Sequence, residues 1–510
     1  MSKCHSLWSF GVLLLALSGA WAQETSPQQA EETPAAPQQP VPAYGPGSAV
    51  PSTMENPPIS GLDMPNLEPH AAPLSYLQAG AHVSESVDSN IQNTLGGSTV
   101  QTISRGEGSI DLRRLWSNYD LSLDYLGGVG YYAVRGVGLK QIQELGAAQK
   151  VNWKRGNLAI RDAFSYQPEG TFGSSYGAVG ATGAGLAGEN VFFGGTGLGT
   201  LGDVPRIMNL TVADAVESLT PKSTITAAAG YGFVHFLQNE PGTGTTLSFI
   251  GDSQVSAQVG YSRLLGHHDQ AALVYGYQHF HFSTGVEFQS HIIQLMWGHR
   301  ISGRMDFLAS AGPQFTQING LLIPVAATTQ NLNNPACTDI LTQQGAEVEC
   351  PTNDLRISAA GRGSLRYRFP RLDLSLTYDH YLTNGSGFFA GAESDVVRFS
   401  ATRPLSRVWS VVTDIGYSRN SRVLSNSCAS SSATTTGCQG VSANVFQYGF
   451  AGVSVHRMLG RTLHAFASYQ FNELTFDKSF CQGTGACSRS SERQVGTIGL
   501  DWIPRPIRLD

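Results

Sequence analysis

The segment DLRISAAGRGSLRYRFPRLDLSLTYD, residues 354–379, sorts by parity. Its even positions begin Arg356, Ser358, Ala360, Arg362, Ser364, Arg366 and Arg368. Its odd positions begin Leu355, Ile357, Ala359, Gly361, Gly363, Leu365, Tyr367 and Phe369. After Pro370-Arg371 the alternation resumes, with Leu372, Leu374, Leu376 and Tyr378 set against Asp373, Ser375, Thr377 and Asp379. A period of two with a Pro-containing break is a β-hairpin with one wet face and one greasy face. The two faces need two solvents. An arginine turned toward hydrocarbon costs about 2–4 kcal/mol at a bilayer midplane, and one strand here carries four. If the greasy face meets lipid, the guanidinium groups must look into a watery interior.

The same pattern runs through the chain from about residue 75. Ile110, Leu112, Leu121, Leu123 and Tyr125 oppose Asp111, Arg113, Asp120, Ser122 and Asp124. Val255, Ala257, Val259 and Tyr261 oppose Gln254, Ser256, Gln258 and Ser262. Near the end, Leu463, Ala465, Ala467, Tyr469 and Phe471 oppose His464, Ser468, Gln470 and Asn472. Short turns fall near Ser117-Asn118, Arg155-Gly156, Pro221-Lys222, Gly266-His267, Ser302-Gly303, Pro370-Arg371, Leu405-Ser406 and Leu459-Gly460. Between them lie long connections at about 86–103, 168–208, 239–251, 318–353, 424–441 and 478–491, and shorter ones near 136, 284 and 387. This spacing predicts about 18 antiparallel strands, with sixteen the nearest alternative; single-chain membrane barrels have even strand numbers, short turns on one side and long loops on the other. The stretch 139–220 is the most weakly patterned.

Composition agrees with a membrane barrel. Only 14% of the 510 residues are charged, against roughly 25% in an ordinary soluble protein. The formal net charge is −6 and no basic run suggests nucleic acid. No apolar run beyond the first 25 residues approaches the roughly 20 residues of a membrane-spanning helix. The five tryptophans past the N-terminus, Trp116, Trp153, Trp297, Trp409 and Trp502, all lie near a short turn or the C-terminus. That spacing predicts one ring of indoles, the aromatic girdle of a membrane interface. Small residues and Tyr mixed with Leu on the apolar parity suit lipid better than a close-packed core.

The N-terminus has the form of an export signal. Lys3 precedes the apolar LWSFGVLLLALSGA, and Ala20-Trp21-Ala22 is a small-x-small site, giving a signal peptide over 1–22. Residues 23–74 are rich in Pro, Gln, Ala and Glu, a composition expected to be a disordered periplasmic segment. It is a candidate contact for peptidoglycan or a periplasmic partner. Residues 75–510 form the barrel. Six cysteines fall into close pairs inside polar connections, Cys337 with Cys350, Cys428 with Cys438 and Cys481 with Cys487. In an exported chain these read as local disulfides stapling loops. No spacing suggests a metal site, and no cofactor motif is present.

The layout resembles Gram-negative outer-membrane β-barrels of the porin type. The final strand QVGTIGLDW, with Gly496, Ile498, Leu500 and Trp502, looks like the signal read by the barrel-assembly machinery, although the chain continues as IPRPIRLD. The resemblance implies outer-membrane lipid around the wall and small solutes in the lumen. By position, the connection at 168–208 is similar to the constriction loop of general porins; its charges are few, chiefly Glu189, Asp203 and Arg206.

With a two-residue turn at Pro370-Arg371, Arg368 faces Asp373 and Arg362 faces Asp379, as cross-strand ion pairs on the lumen wall. Gly363 faces Tyr378, whose ring is expected to cover it. Arg366 faces only Ser375 and Arg356 only Gly385, so these two are expected to be free, with Arg398 on the next strand a third. Free lumen arginines favour anions. Asp111, Asp120 and Asp124 place acid on the first strands. No GxSxG or HExxH motif is present; His267-His268-Asp269 reads as a solvated turn, and His279 and His281 as markers of the outer interface. The expected function is therefore non-enzymatic: a channel for small polar or anionic solutes. Alternatives are a conduit for polysaccharide export and a surface structural or adhesive barrel with a closed pore.

Overall fold

The computed structural model describes residues 75–509 except 91–94, 98–99, 134–137, 168–204, 238–249, 327–337, 343–344, 370, 384, 386–388, 424–442 and 482–487, and gives the backbone alone over 320–354. The expected signal peptide at 1–22, the 23–74 segment and the connection at 168–204 lie outside the described residues. So do the side chains of all three cysteine pairs.

The described chain is a closed antiparallel β-barrel. Its strands are β1 (Tyr76–Asp88), β2 (Gln101–Leu115), β3 (Tyr119–Tyr132), β4 (Gly138–Trp153), β5 (Gly156–Gln167), β6 (Arg206–Thr220), β7 (Ser223–Phe236), β8 (Asp252–Leu264), β9 (Asp269–Phe282), β10 (Glu287–Ser302), β11 (Met305–Ala326), β12 (Thr338–Thr342), β13 (Gly345–Phe369), β14 (Leu372–Thr383), β15 (Ala392–Pro404), β16 (Trp409–Arg422), β17 (Val445–Met458), β18 (Leu463–Phe476), β19 (Ser490–Trp502) and β20 (Ile507–Arg508). Each wall strand pairs with the next, β11 passes directly to β13, and β19 returns to β1 with Ala81 opposite Trp502 and Asp88 opposite Val495. Leaving out β12 and β20, the ring has 18 strands. A closed ring of ladders leaves no open sheet edge, which is what a wall bathed in hydrocarbon requires.

The eight short turns lie where the alternation breaks; two sit one residue away from the expected place, at Lys154-Arg155 and Gly303-Arg304. One long connection is not a loop. β11 and β13 continue beyond the wall, pairing Leu321 with Thr352 through Ala326 with Glu347, and β12 adds a third strand against Val348 and Glu349. This corrects the expected loop at 318–353: pairing satisfies backbone groups that an open loop would leave to water.

The tail after Trp502 closes the seam further. β20 pairs with Tyr76 and Leu77, and Gln78 donates to the Pro504 carbonyl at 2.8 Å. The seam itself is held by buried polar contacts. Arg493 Nε donates to Asp88 Oδ2 at 2.8 Å, His82 meets Asp501 at 2.9 Å, and Ser86 meets Thr497 at 2.9 Å.

Sidedness follows parity on most strands. Leu355 and Ile357 are 64% and 66% exposed, while Arg362 on the other face of the same strand is buried. The five tryptophans all point outward near the short turns, between 38% exposed at Trp409 and 50% at Trp502. Strand β6 reverses the rule. Met208, Leu210 and Val212 point inward and are buried, while Asn209 and Thr211 lie outward. There they serve the outward Asp162 of β5, Thr211 Oγ1 donating to it at 2.5 Å and Asn209 Nδ2 at 3.1 Å. This reversal is why 139–220 reads poorly as a period-two pattern.

Candidate functional site: the barrel lumen and its outer mouth

The inner wall carries two kinds of surface. Toward the short turns it is charged. Arg362 and Asp379 form an ion pair at 3.2 Å, and Arg368 stands opposite Asp373 in register. Asp306 on β11 stands opposite Arg366, and Arg300 reaches Asp306 at 3.4 Å. On the other side of the ring Arg113 holds Asp120 through two hydrogen bonds of 3.1 and 2.7 Å, Lys150 faces Asp120, and Asp111 faces Asp124.

The expectation of free arginines is overturned by these contacts. Arg356 donates to Glu393 Oε2 at 2.5 Å and to the Val423 carbonyl at 3.3 Å. It does not face Gly385, because β14 ends at Thr383. Arg398 grips both carboxylate oxygens of Asp414, at 2.9 and 2.6 Å. Arg366 has Asp306 beside it as well as Ser375. The physical reason is general to barrels. Each wall residue has two neighbouring strands, and the turn at Pro370-Arg371 reveals only one of them. The Tyr378 ring does not cover Gly363 either; a Cβ at Gly363 would meet open space. Tyr378 instead donates its hydroxyl to Asp395 at 2.9 Å.

Ring order relates the two charged walls. From β3 to β13 there are nine strand-to-strand steps in a ring of 18, so the Asp111–Asp120–Asp124 wall and the Arg362–Arg366–Arg368 wall face each other across the lumen.

Toward the long connections part of the interior is apolar. Phe280, Phe282, Val286, Phe288, Ile318, Leu382 and Ala390 form one buried cluster with Ile250 and Val423. Phe389, Ala392, Ala443, Phe446, Tyr448, Leu474 and Phe476 form another, with Leu95, Phe450 and Phe480 against it. The two meet at Phe389-Ala390 in the connection between β14 and β15, one residue in each cluster. Phe389 lies 5.2 Å from the Phe446 ring, and the Arg422 guanidinium sits 4.6 Å above it. The backbone is fitted to the place. Gly385 and Gly391 have φ of 77° and 83°, and a Cβ at Gly391 would run into the Phe288 ring. Gly391 also accepts from the Val423 amide at 3.4 Å. The bases of several outer connections thus join in one apolar roof at the loop side of the lumen.

Sequence reasoning missed this roof. Position 387 reads as a minor turn, and the inward aromatics on β9, β10, β17 and β18 look like the ends of apolar strands. A signal was present: FFAGA at 388–392 is too greasy for an exposed connection. His279 and His281 lie on the outward face at the loop end of β9, both reaching Glu287, at 3.6 and 3.0 Å. At the opposite rim, Asp269 of the His267-His268-Asp269 turn accepts from Trp297 at 3.1 Å and lies 2.8 Å from His299.

No protein-family model and no curated protein matches the chain. Solved structures similar to it include OccK2 (OpdF) of Pseudomonas aeruginosa, at 9% identity and a TM-score of 0.36 over 84% of this chain and 98% of that one. OprD of the same organism is 7% identical, with a TM-score of 0.36 over 84% and 95%. The ferric-catecholate import receptor Fiu of E. coli is 7% identical, with a TM-score of 0.40 over 84% and 81%. At these values the barrel assignment rests on the chain's own strand register.

Proposed function

We propose that the chain is an outer-membrane channel for the passive passage of small polar solutes, anionic ones included. One observation carries this reading: a closed ring of 18 strands whose inner face holds ion pairs, amides and hydroxyls on nearly every strand. A ring of this size is too wide for its own side chains to fill, and polar groups pointing inward need water. The outward indoles near the turns and the apolar belt above them fit a bilayer, with the turn side toward the periplasm. The opposed acidic and basic walls would orient a dipolar or charged solute in passage. Arg356 and Arg398 are engaged by carboxylates, and Arg366 and Arg368 stand opposite Asp306 and Asp373 in register, so any ion preference comes from the balance of the two walls.

The roof favours a second reading, a surface barrel whose pore stays shut. Planar-bilayer recording of the purified protein separates the two. Discrete conductance steps, with an anion preference reduced by Arg366→Glu, support the channel. Silence in the wild type and also in a variant lacking 386–390 would leave the closed barrel.

A further inference from the structure

Four adjacent strands, β8 to β11, carry an inner wall of a different chemistry. Between Asp252 at the loop end and Arg300 and Asp306 at the turn end, no inward side chain on them is ionisable. Six are glutamines: Gln254, Gln258, Gln270, Gln278, Gln294 and Gln314. The register stacks them in rows. Ser256, Gln278, Ser290 and Thr316 form one row, directly below the roof row of Gln254, Phe280, Phe288 and Ile318. The next row is Gln258, Gly276, Ile292 and Gln314. A cavity opens against these rows, and Ser256, Gln258, Val274, Gln278, Gln294 and Tyr381 line it.

One observation marks the wall as a binding surface and not as packing. Gln278, which lines the cavity, is 2% exposed, yet neither its amide nitrogen nor its amide oxygen has a partner. Buried amides left unpaired on both atoms are rare, and each calls for an explanation. Two other amides are oriented by neighbours: Gln314 donates to Ser290 at 2.8 Å and Gln294 to the Tyr381 hydroxyl at 3.3 Å. Between the amides, Val274, Gly276 and Ile292 give a low apolar floor.

We propose that this wall binds an uncharged polyhydroxylated solute, a neutral sugar or polyol. A carboxamide offers one acceptor and two donors side by side, which matches adjacent hydroxyls. The apolar floor and the Tyr381 ring suit the C–H face of a sugar ring. A charged solute would find no counter-charge on these strands, and an apolar one would leave the amides unpaired. The proposal deepens the channel reading and rests on it for the route by which the solute arrives.

The test is calorimetric titration of the full-length barrel in detergent with maltose as the neutral probe and glucuronate as the charged one. Saturable maltose binding is expected, with glucuronate at least tenfold weaker. Gln278→Leu and, separately, Gln294→Leu should each weaken maltose about tenfold, in protein whose heat-modifiable migration on gels marks it as folded. Maltose should also block the ionic current. Absence of maltose binding, equal binding of glucuronate, or unchanged maltose binding by both folded variants would overturn the proposal; the last result would mark the amides as partners of ordered water only. The two readings fail differently. Binding without conductance sinks the channel and leaves the sugar site, whereas conductance without binding does the reverse.

Discussion

Under the closed-pore reading, Phe389 is the residue on which the outer mouth turns. Its ring is fully buried, packs on Phe446 and lies under Arg422, and its neighbour Ala390 belongs to the opposite cluster. Truncation to alanine in such a place costs about 3–5 kcal/mol, and loss of the cation–π contact adds about 0.5–2 kcal/mol. The affected residues belong to the connection between β14 and β15, not to the hydrogen-bonded ring. The cost therefore falls on the roof, while the barrel keeps its ladders. A loss of about 3 kcal/mol moves a closed-to-open equilibrium by roughly a hundredfold, since each 1.4 kcal/mol is a factor of ten. A mouth closed nearly all the time would be open for a large share of it. Phe389→Ala should accordingly raise the open time or the mean conductance in planar bilayers, with little change in the temperature at which the barrel loses its compact gel migration. The reasoning is refuted if conductance stays at the wild-type level while that temperature falls by several degrees. Such a result would make the roof part of the barrel's rigid core.

Other consequences are open to measurement. Asp88→Ala or Arg493→Met leaves one member of a buried pair alone at the seam, which costs about 3–5 kcal/mol, so urea unfolding in detergent should shift well below the wild-type midpoint; an unchanged midpoint removes the seam pair from the account. Tryptophan fluorescence should be quenched strongly by lipids brominated near the headgroup and weakly by aqueous iodide, and the opposite order would deny the indoles their place at an interface. Arg366→Glu should shift the reversal potential in a salt gradient toward cations, and Asp120→Lys toward anions, because the two residues stand on opposed walls. No shift in either would show that the lumen field is set elsewhere.

Strand placement was legible because it depends on local chemistry. Alternation along 354–379 gives the two faces, and Pro370-Arg371 gives the turn. The same logic carries across all eight short turns and yields the ring of 18. The register around Pro370-Arg371 follows too, with Arg368 opposite Asp373 and Arg362 opposite Asp379. Alternation fails on β6, where Met208, Leu210 and Val212 turn inward. There the outward face holds a polar group of Asp162, Asn209 and Thr211 that satisfies itself by internal hydrogen bonds, so hydropathy alone assigns the wrong side.

What the sequence determined by itself is the set of wall strands, their count and the faces of most of them; β12 and β20 were not legible. Side-chain period and turn chemistry are properties of a few consecutive residues. What only the tertiary structure decided is company. Arg356 finds Glu393, Arg398 finds Asp414, and Phe389 finds Phe446, partners fixed by ring closure and by the way neighbouring strand ends meet at the loop side. A wall residue meets two strands and an interior, and a single turn discloses one of those three surroundings. The balance of charge in the lumen is a consequence of closing the ring.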